Sequence, residues 1–266
     1  MSPQTHGLWR MIRVRGIEEG EGCMSKILEV KGLSKAFGGL QALLEFHMEV
    51  ARGELVGIIG PNGAGKTTLF NLMTGFLKPD KGQVILKGSN ITGLKPHQIV
   101  NRGMTRTFQL VELFKDMSVL ETVMVPLLSA RARKSYGGKP WQRAMEYLER
   151  MGLAHRALEK TGSLAFGELR LLDIARAMAT EPEVLLLDEP FSGLDVEDAK
   201  ILSEAISEMH GSGQTMVIIE HRLKDLLKLA QRVVALVFGE KVAEGTPQQV
   251  MEDQRVISAY LGQRRP

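Results

Sequence analysis

The chain has 266 residues, 44% of them hydrophobic and 24% charged, and this ordinary globular composition permits one large domain or a core with a subdomain. A net charge of +3 is too small to indicate nucleic-acid binding, and the single cysteine, Cys23, excludes an internal disulfide and fits a reducing cytosol. No stretch approaches the roughly 18 apolar residues that span a bilayer, so work at a membrane would require other chains to supply the span.

The first 23 residues differ in character from those that follow. Residues 16–22 alternate glycine and glutamate, a composition that is typical of disorder. A second start at Met24 leads directly into a strand-like run at 27–30. We therefore expect residues 1–23 to be a disordered extension without a catalytic role. Residues 24–262 would form the functional domain, and residues 263–266 a tail.

Residues 60–67 read G-x-x-x-x-G-K-T, between an apolar run at 55–59 that is typical of a buried strand and a helix-like start at 69–73. That context predicts a phosphate-binding loop, in which glycines let backbone N–H groups converge on phosphate oxygens. Lys66 would then reach the β- and γ-phosphates, and the Thr67 hydroxyl could ligate Mg²⁺. The alternative is a glycine-rich turn with an incidental lysine, and the flanking elements favour a nucleoside triphosphate. The predicted loop comprises Gly60, Pro61, Asn62, Gly63, Ala64, Gly65, Lys66, Thr67 and Thr68.

A basic segment lies between Glu121 and Glu146, where no acidic residue occurs. Such a charge run is usually solvated, and a weaker hypothesis is that it faces anionic lipid of the cytoplasmic leaflet. Residues 136–140 predict a loop before a helix that starts near Trp141. The basic residues are Arg131, Arg133, Lys134, Lys139 and Arg143.

A second acidic strand follows, since residues 184–187 are apolar and end in Asp188 and Glu189. A buried parallel strand of this kind would bring Asp188 beside the phosphate loop to hold Mg²⁺, and Glu189 could polarise the attacking water as a general base. The alternative is an acidic pair that solvates a turn before Pro190, and the phosphate loop favours the functional interpretation. His221 follows another buried strand at 216–219 and could contact the γ-phosphate.

The strand and helix patterns together imply an α/β core. The stretch 110–165 lacks strand runs and predicts a helical subdomain. Strands are predicted near 27–30, 55–60, 84–86, 184–187, 216–219 and 233–238, and helices near 66–74, 141–151, 168–180 and 196–210.

The ordered set of motifs resembles the nucleotide-binding subunit of ABC transporters, over nearly the whole stretch from Ile27 to Gly262. The resemblance implies a P-loop NTPase cassette with a parallel-sheet core, an antiparallel β subdomain and an α-helical subdomain. It also implies that ATP and Mg²⁺ are bound and that ATP hydrolysis is coupled to transport. Besides the phosphate loop, the motifs are Thr105-Arg106-Thr107-Phe108-Gln109, Leu164-Ala165-Phe166-Gly167-Glu168, Leu187-Asp188-Glu189-Pro190, Ser192-Gly193-Leu194-Asp195 and His221.

Within that family the chain is most similar to the ATPase subunits of branched-chain amino acid importers. Related urea and lipopolysaccharide-export ATPases share some of the same stretches, so these stretches separate subfamilies less sharply. The similar stretches are residues 37–42, 105–109, 113–119 and 256–262.

The resemblance assigns roles residue by residue. Phe37 would stack on adenine, although a lone phenylalanine after a strand belongs to a core about as often. Gln109 would sense Mg²⁺ and the attacking water, Asp195 would act across a dimer interface, and His221 would orient the γ-phosphate. The catalytic candidates are thus Glu189, His221, Lys66 and Gln109, and the candidate metal ligands are Thr67, Gln109 and Asp188.

One motif departs from the family pattern. The signature loop usually begins Leu-Ser-Gly-Gly, whereas this chain has Leu164, Ala165, Phe166 and Gly167, followed by Glu168. Gly167 retains a flexible backbone N–H ahead of a helix predicted over 168–180, so an anion site at a helix N-terminus survives in part. We therefore expect a slower or asymmetric composite site, not an inactive one.

The family works as a dimer in which two cassettes enclose two ATP molecules, each between one chain's phosphate loop and the other's signature loop. The resemblance thus implies a second ABC ATPase subunit, identical or related, integral membrane permease subunits and, indirectly, a substrate-binding protein. It places the chain on the cytoplasmic side of the inner (plasma) membrane as a peripheral protein. Residues 110–125 would dock the permease, although their apolar residues Val111, Leu113, Phe114 and Met117 could equally be subdomain core.

Two rival hypotheses come from other functional classes. A non-transport ABC ATPase acting on DNA or ribosomes would carry two cassettes or a long coiled-coil or zinc insertion, and the chain has neither. A soluble P-loop kinase would have no use for a signature loop. We therefore expect no nucleic-acid partner.

Overall fold

The computed structural model describes residues 25–135 and 138–261. The predicted extension over 1–23 with its Cys23, the loop residues 136–137, and the tail over 263–266 lie outside the described residues. Within the described ranges no helix is both long enough and apolar enough to cross a membrane.

The strands of the described ranges are, in chain order, β1 (Lys26–Phe37), β2 (Leu40–Ala51), β3 (Leu55–Ile59), β4 (Lys81–Leu86), β5 (Ser89–Asn90), β6 (Met104–Arg106), β7 (Val184–Asp188), β8 (Thr215–Ile219), β9 (Arg232–Val237) and β10 (Glu240–Gly245). The α-helices are α1 (Lys66–Met73), α2 (Pro96–Arg102), α3 (Val119–Leu127), α4 (Ala130–Ser135), α5 (Pro140–Arg150), α6 (Phe166–Met178), α7 (Val196–Gly211), α8 (Leu223–Leu229), α9 (Pro247–Glu252) and α10 (Gln254–Leu261).

The central sheet has the strand order β10-β9-β3-β8-β7-β6 and is parallel except for the β9–β10 hairpin at its edge. Strands β3, β7 and β8 are buried at every residue, as parallel strands covered on both faces must be. In the register of this sheet Asp188 pairs with Ile219, so the carboxyl ends of β7 and β8 lie side by side. The residues that follow these strands therefore meet at one edge of the sheet.

A second, antiparallel sheet has the order β2-β1-β4-β5. The expected antiparallel subdomain is thereby confirmed, although the apolar runs at 27–30 and 84–86 indicated only parts of it. Strand β2 alternates buried Leu43, Phe46, Met48 and Val50 with exposed residues, which is a half-buried pattern weaker than a continuous apolar run. That weakness explains why this strand was not predicted.

The central sheet separates two hydrophobic cores. Leu55 and Ile59 point into the core shared with helices α3, α5, α6 and α7, whereas Val56 and Ile58 point into the core shared with α1 and the antiparallel sheet. Adjacent residues of one strand thus bury opposite faces. This arrangement holds the end of β3, from which the phosphate loop departs, rigidly between two layers.

The stretch 110–165 contains α3, α4, α5 and two short 3₁₀ turns at 154–156 and 161–163. Helix α3 begins at a capping box, in which the Ser118 hydroxyl accepts from the Glu121 N–H and the Glu121 carboxylate accepts from the Ser118 N–H. Tyr147 and Leu148 of α5 are buried in the core of this side. The helices fit a separate subdomain, and its boundaries at about 110 and 165 stay a prediction.

The basic segment is only partly solvated. The Arg143 guanidinium donates to Glu181 Oε1 at 2.8 Å, Tyr147 donates to the same oxygen at 2.7 Å, and Arg131 Nε donates to the Glu181 carbonyl at 2.8 Å. The hypothesis that all five basic residues face lipid is therefore wrong for Arg131 and Arg143, because Glu181 holds them against the start of β7. Arg133 is exposed, as are Lys134 and Lys139.

Candidate functional site

The phosphate loop connects the buried end of β3 to the first turn of α1. Its glycines are needed for space as well as for conformation: a Cβ on Gly60 would lie 2.1 Å from the Leu236 carbonyl oxygen, and a Cβ on Gly65 2.4 Å from that of Ala42. Gly65 also has φ 100°, in the left-handed region that favours glycine. Close packing against the neighbouring strands β2 and β9 thus fixes the conformation of the loop.

Lys66 is nearly buried, with 6% of its surface exposed. Its ammonium donates to the carbonyl oxygens of Gly60 at 2.7 Å and Pro61 at 3.0 Å, and so crosses the loop that it belongs to. Burial lowers the pKa of Lys66, and this effect is opposed by the negative charges of Glu189 and Asp188. Thr67 is exposed at the same end of the helix.

Glu189 lies directly after β7 in an unusual backbone conformation. Its φ of 47° is in the left-handed region, which a residue with a side chain adopts at a cost. The Gln109 amide donates to its Oε2 at 2.8 Å, and His221 Nδ1 lies 3.3 Å from the same oxygen. The structure therefore brings three of the four catalytic candidates together around one carboxylate.

Glu220 is a residue of this site to which the sequence interpretation gave no role. Its carboxylate is fully buried and accepts backbone N–H bonds from Phe191 at 2.8 Å, His221 at 2.9 Å and Arg222 at 3.0 Å. Burial raises the pKa of Glu220, and these hydrogen bonds act in the opposite direction. The carboxylate ties the chain after β7 to the chain after β8. The sequence signal that could have indicated Glu220 is a carboxylate that directly follows a buried strand and precedes His221.

Asp188 is also buried, and its partner was not predicted. Arg106 Nη2, at the end of β6, donates to Asp188 Oδ2 at 2.5 Å, and the two side chains are 4% and 5% exposed. Arg106 appeared in the sequence only as part of the motif before Gln109, and nothing local to either residue indicates the contact.

Phe37 is the last residue of β1 and is 45% exposed, with the Lys35 ammonium 5.5 Å from its ring centre. Because nearly half of its surface is free, the alternative that it belongs to a core is wrong, and the ring is available for stacking.

The signature segment belongs to α6, which begins at Phe166 and not at 168 as predicted. The Glu168 carboxylate accepts from the Ala165 N–H at 2.9 Å, so it caps the helix two residues earlier than the sequence pattern indicated. Gly167 lies inside the first turn, where a Cβ would come within 2.4 Å of Asp198 Cγ. Leu164 is buried and Phe166 is 47% exposed. Among the described residues, no hydrogen bond joins this segment to the phosphate loop of its own chain.

Helix α6 also holds the segment around Gln109. Arg170 donates to the carbonyl oxygens of Phe108 at 3.3 Å and Ser192 at 3.2 Å, and Arg176 donates to that of Glu112 at 3.0 Å. One helix therefore carries part of the signature segment and contacts both the segment of Gln109 and the turn after β7.

Asp195 is exposed and caps α7, with its Oδ1 accepting from the Asp198 N–H at 2.8 Å. In the segment that was expected to dock a partner, Leu110 and Phe114 are 77% and 75% exposed, whereas Leu113 packs against the helical core. The segment thus contains both exposed and packed apolar residues, and its role in docking the permease stays a prediction.

Comparison with known proteins identifies the family. A family model described as ABC transporter matches residues 43–192, more than half of the chain, and one described as Branched-chain amino acid ATP-binding cassette transporter matches residues 240–265. The chain is 40% identical over 250 residues to the High-affinity branched-chain amino acid transport ATP-binding protein LivG of Escherichia coli (strain K12), which covers 89% of this chain and 98% of that protein.

Two solved structures are also similar. The ADP conformation of MJ1267, an ATP-binding cassette of an ABC transporter, matches with a TM-score of 0.81 and 32% identity over 90% of this chain and 99% of that one. The dimeric post-hydrolysis state of the cassette MJ0796, bound to ADP and Pi, matches with a TM-score of 0.72 and 26% identity over 83% of this chain and 99% of that one.

These matches confirm the expected ABC cassette fold and contradict the two rival hypotheses, the soluble P-loop kinase and the non-transport ABC ATPase. They also agree with the geometry of a phosphate loop beside a carboxylate-bearing strand end. The chain belongs to the ABC transporter family, as an ATP-hydrolysing, ATP-binding subunit of the branched-chain amino acid type.

Proposed function

We propose that the chain hydrolyses ATP to power the import of branched-chain or other hydrophobic amino acids through separate permease subunits. It would work as a peripheral protein on the cytoplasmic side of the inner (plasma) membrane. Similarity to LivG, a high-affinity branched-chain amino acid transport ATP-binding protein, supports the substrate class. The C-terminal family match over 240–265 supports the same class independently of the phosphate loop.

The observation that carries the proposal is the arrangement around Glu189. A carboxylate in a strained conformation at the end of β7 accepts the Gln109 amide and lies 3.3 Å from His221. A general base needs a fixed position from which to polarise a water molecule, and these contacts provide one. We assign Glu189 as that base and Gln109 as its positioning partner.

The donor set fits Mg²⁺, which prefers oxygen ligands and keeps several waters and phosphate oxygens in its shell. Thr67 offers an exposed hydroxyl, Asp188 has one carboxylate oxygen beyond the one that Arg106 contacts, and the Gln109 carbonyl oxygen is not used by the hydrogen bond to Glu189. We propose these three residues as the ligands. When bound, the ion would neutralise charge on the phosphates.

Residues of the chain itself would bind and orient the nucleotide. The loop amides and the Lys66 ammonium would hold the β- and γ-phosphates, and His221 would contact the γ-phosphate from the end of β8. Phe37 would stack on the adenine ring. Lys66 would have to exchange its hydrogen bonds to Gly60 and Pro61 for phosphate oxygens. The added negative charge would oppose the effect of burial, which lowers the pKa of Lys66.

A second ATPase subunit, identical or related, would complete each site. Dimeric cassettes occur among similar structures, as in MJ0796. The exposed Phe166 and Ala165 at the start of α6 and the exposed Asp195 would face the partner's nucleotide and interface. ATP would then bind the closed pair better than the open pair, and this difference in affinity would drive the conformational change.

The permease subunits would dock on Leu110 and Phe114, the exposed apolar residues of the segment after Gln109. Movement of this segment on loss of the γ-phosphate would pass through Gln109 to the membrane partner, and a substrate-binding protein would take part only indirectly.

The test is the variant Glu189→Gln, which keeps the hydrogen bond to Gln109 but removes the base. We expect Mg·ATP binding within about twofold of wild type and turnover reduced by a factor on the order of 100 or more. Glu240→Gln, on the exposed edge strand β10, serves as the matched control. Turnover near the wild-type rate in Glu189→Gln would show that the base has been assigned wrongly.

The substrate class is tested by transport. The chain is reconstituted with its permease and binding-protein partners in proteoliposomes, and ATP-dependent uptake of labelled leucine is compared with that of urea. Leucine uptake that disappears with Glu189→Gln is the expected result, and urea uptake alone would contradict the substrate class.

A further inference from the structure

Arg106 ends strand β6, which pairs in parallel with β7 so that Arg106 lies opposite Leu186. Its side chain is 4% exposed, so a permanent positive charge is buried at the edge of the nucleotide site. Arginine at such a depth requires partners that replace water.

Four residues from three parts of the fold contact Arg106. Nη2 donates to Asp188 Oδ2 and Nη1 to Asn71 Oδ1, each at 2.5 Å. The guanidinium carbon lies 5.4 Å from the ring centre of Phe70 and 4.9 Å from that of Phe108. Within the described residues its Nε is buried without a hydrogen-bond partner. The fork is therefore fixed in direction by α1 and by the residue before Gln109, and its charge is directed at Asp188.

We propose that Arg106 is a positioning residue of the metal site, a cation supplied by the protein that shares Asp188 with the divalent ion accompanying ATP. The inference rests on the proposed role of Asp188 as a metal ligand. Arg106 orients the carboxylate by engaging one of its oxygens, Oδ2, and leaves the other for the ion.

The physical reason is the cost of burying a lone carboxylate. A buried charge that loses its hydrogen-bonded counter-charge is strongly destabilising, and a second cation at the same carboxylate reduces that cost. Two cations at one carboxylate also repel each other. Arg106 therefore weakens the binding of the divalent ion, and it stabilises the protein when no ion is bound. A residue that only fills space would affect stability equally whether or not metal is bound.

This difference is measured with Arg106→Met in a Glu189→Gln background, where ATP is not consumed. Thermal unfolding is followed without nucleotide, with ATP and EDTA, and with ATP and Mg²⁺. We expect a lowered midpoint in the first two conditions and most of the loss restored in the third. An equal loss in all three conditions would reduce Arg106 to a packing residue and overturn the inference.

Metal affinity gives the second readout. Mn²⁺ binding to the ATP complex is measured by electron paramagnetic resonance, and Arg106→Met is expected to bind Mn²⁺ about tenfold more tightly than the Arg106 protein. Arg106→Gln can still donate a hydrogen bond to Asp188 but carries no charge, and it is also expected to bind Mn²⁺ more tightly. This variant provides the test if Arg106→Met does not fold. Unchanged or weaker Mn²⁺ binding in the folded neutral variant contradicts the proposal.

Two matched variants complete the design. Arg106→Lys keeps a charge and is expected to stay within about twofold of the Arg106 protein in Mn²⁺ affinity. Arg102→Met removes an exposed arginine of α2 and is expected to change neither readout.

Failure of the wider proposal is distinguishable from failure of this one. If Asp188→Asn leaves Mn²⁺ binding unchanged, Asp188 is not a metal ligand and the proposed metal site falls. If Asp188→Asn weakens Mn²⁺ binding while the neutral Arg106 variants change neither affinity nor the metal-dependent midpoint, only the role of Arg106 is refuted.

Discussion

The Gln109 amide donates a 2.8 Å hydrogen bond to Glu189 across a separation of 80 residues. The contact forms because β6 and β7 are parallel neighbours, so that the residues after them leave the same edge of the sheet. The backbone around Gln109 is held in turn by α6, since Arg170 donates to the Phe108 carbonyl. A shift of α6 relative to β7 would therefore act directly on the proposed base.

Gln109→Ala is expected to lower the turnover number about tenfold, because Glu189 loses the donor that orients it. The dissociation constant for ATP measured without Mg²⁺ should stay within about twofold, since Gln109 forms no part of the phosphate loop. Steady-state hydrolysis and nucleotide titration check the two values. Gln248→Ala, on exposed helix α9, is the control. An unaltered turnover number would remove Gln109 from the mechanism.

Arg143→Met is expected to destabilise the fold by about 1–3 kcal/mol, because it leaves the half-buried Glu181 with a weakened set of donors. Arg133→Met removes an exposed arginine of the same basic segment and should change stability by less than about 0.5 kcal/mol. Urea unfolding measures both. Equal effects would mean that the tie to Glu181 contributes nothing to the stability of the fold.

Gly167→Ala is expected to lower stability by about 1–3 kcal/mol, since the new methyl group would lie 2.4 Å from Asp198 Cγ, where α6 packs against α7. Asp198→Ala removes the obstructing carboxylate, so the double variant should recover most of the loss. Denaturant unfolding of the two single variants and the double variant gives the coupling energy. Purely additive losses would show that the two helices do not meet in this way.

Burial raises the pKa of Glu220 from its ordinary value of 4.5, and this gives stability a pH dependence. The raised value means that the folded protein holds the proton more readily than the unfolded chain, so this contribution is complete below pH 4.5 and is lost as the pH rises through the folded pKa. The charges that act on the group include those of the neighbouring His221, of Lys66 and of Arg170.

Glu220→Gln removes that titration. The stability of wild type relative to the variant should therefore fall as the pH rises above 4.5, by about 1.4 kcal/mol for each unit by which folding raises the pKa. Urea unfolding of both proteins at a series of pH values measures the trend. A difference that is constant or grows with pH would contradict it.

Phe114→Ser is expected to weaken association with the permease subunits about tenfold, because it removes an apolar side chain that is 75% exposed in the segment proposed to dock them. Hydrolysis by the isolated chain should not change. Leu158→Ser alters another exposed apolar residue, 88% exposed and outside that segment, and should leave association intact. Co-purification with the permease in detergent compares the variants.

The sequence by itself determined those elements whose defining residues lie close together along the chain. The glycine spacing, Lys66 and the preceding apolar run predicted the phosphate loop because strand, turn and helix start lie within 20 residues of one another. The apolar run that ends in Asp188 and Glu189 predicted a buried strand for the same reason. Helix α6 begins two residues before the predicted start at 168, because the Glu168 carboxylate caps it from inside its first turn.

Only the tertiary structure decided which distant groups form ion pairs and hydrogen bonds with one another. The pairs are Arg106 and Asp188, Glu181 and Arg143, and Glu220 and the Phe191 amide, and each is separated by a change of strand or of subdomain. Such pairings depend on strand order and register. Strands β3, β7 and β8 are buried on both faces and lack the alternation of apolar and polar residues that would specify their register locally. The sequence by itself identified the residues that can bind a phosphate. The partner of each buried charge was decided only by the packed sheet, because a charge can be buried only where the fold supplies a counter-charge or hydrogen bonds.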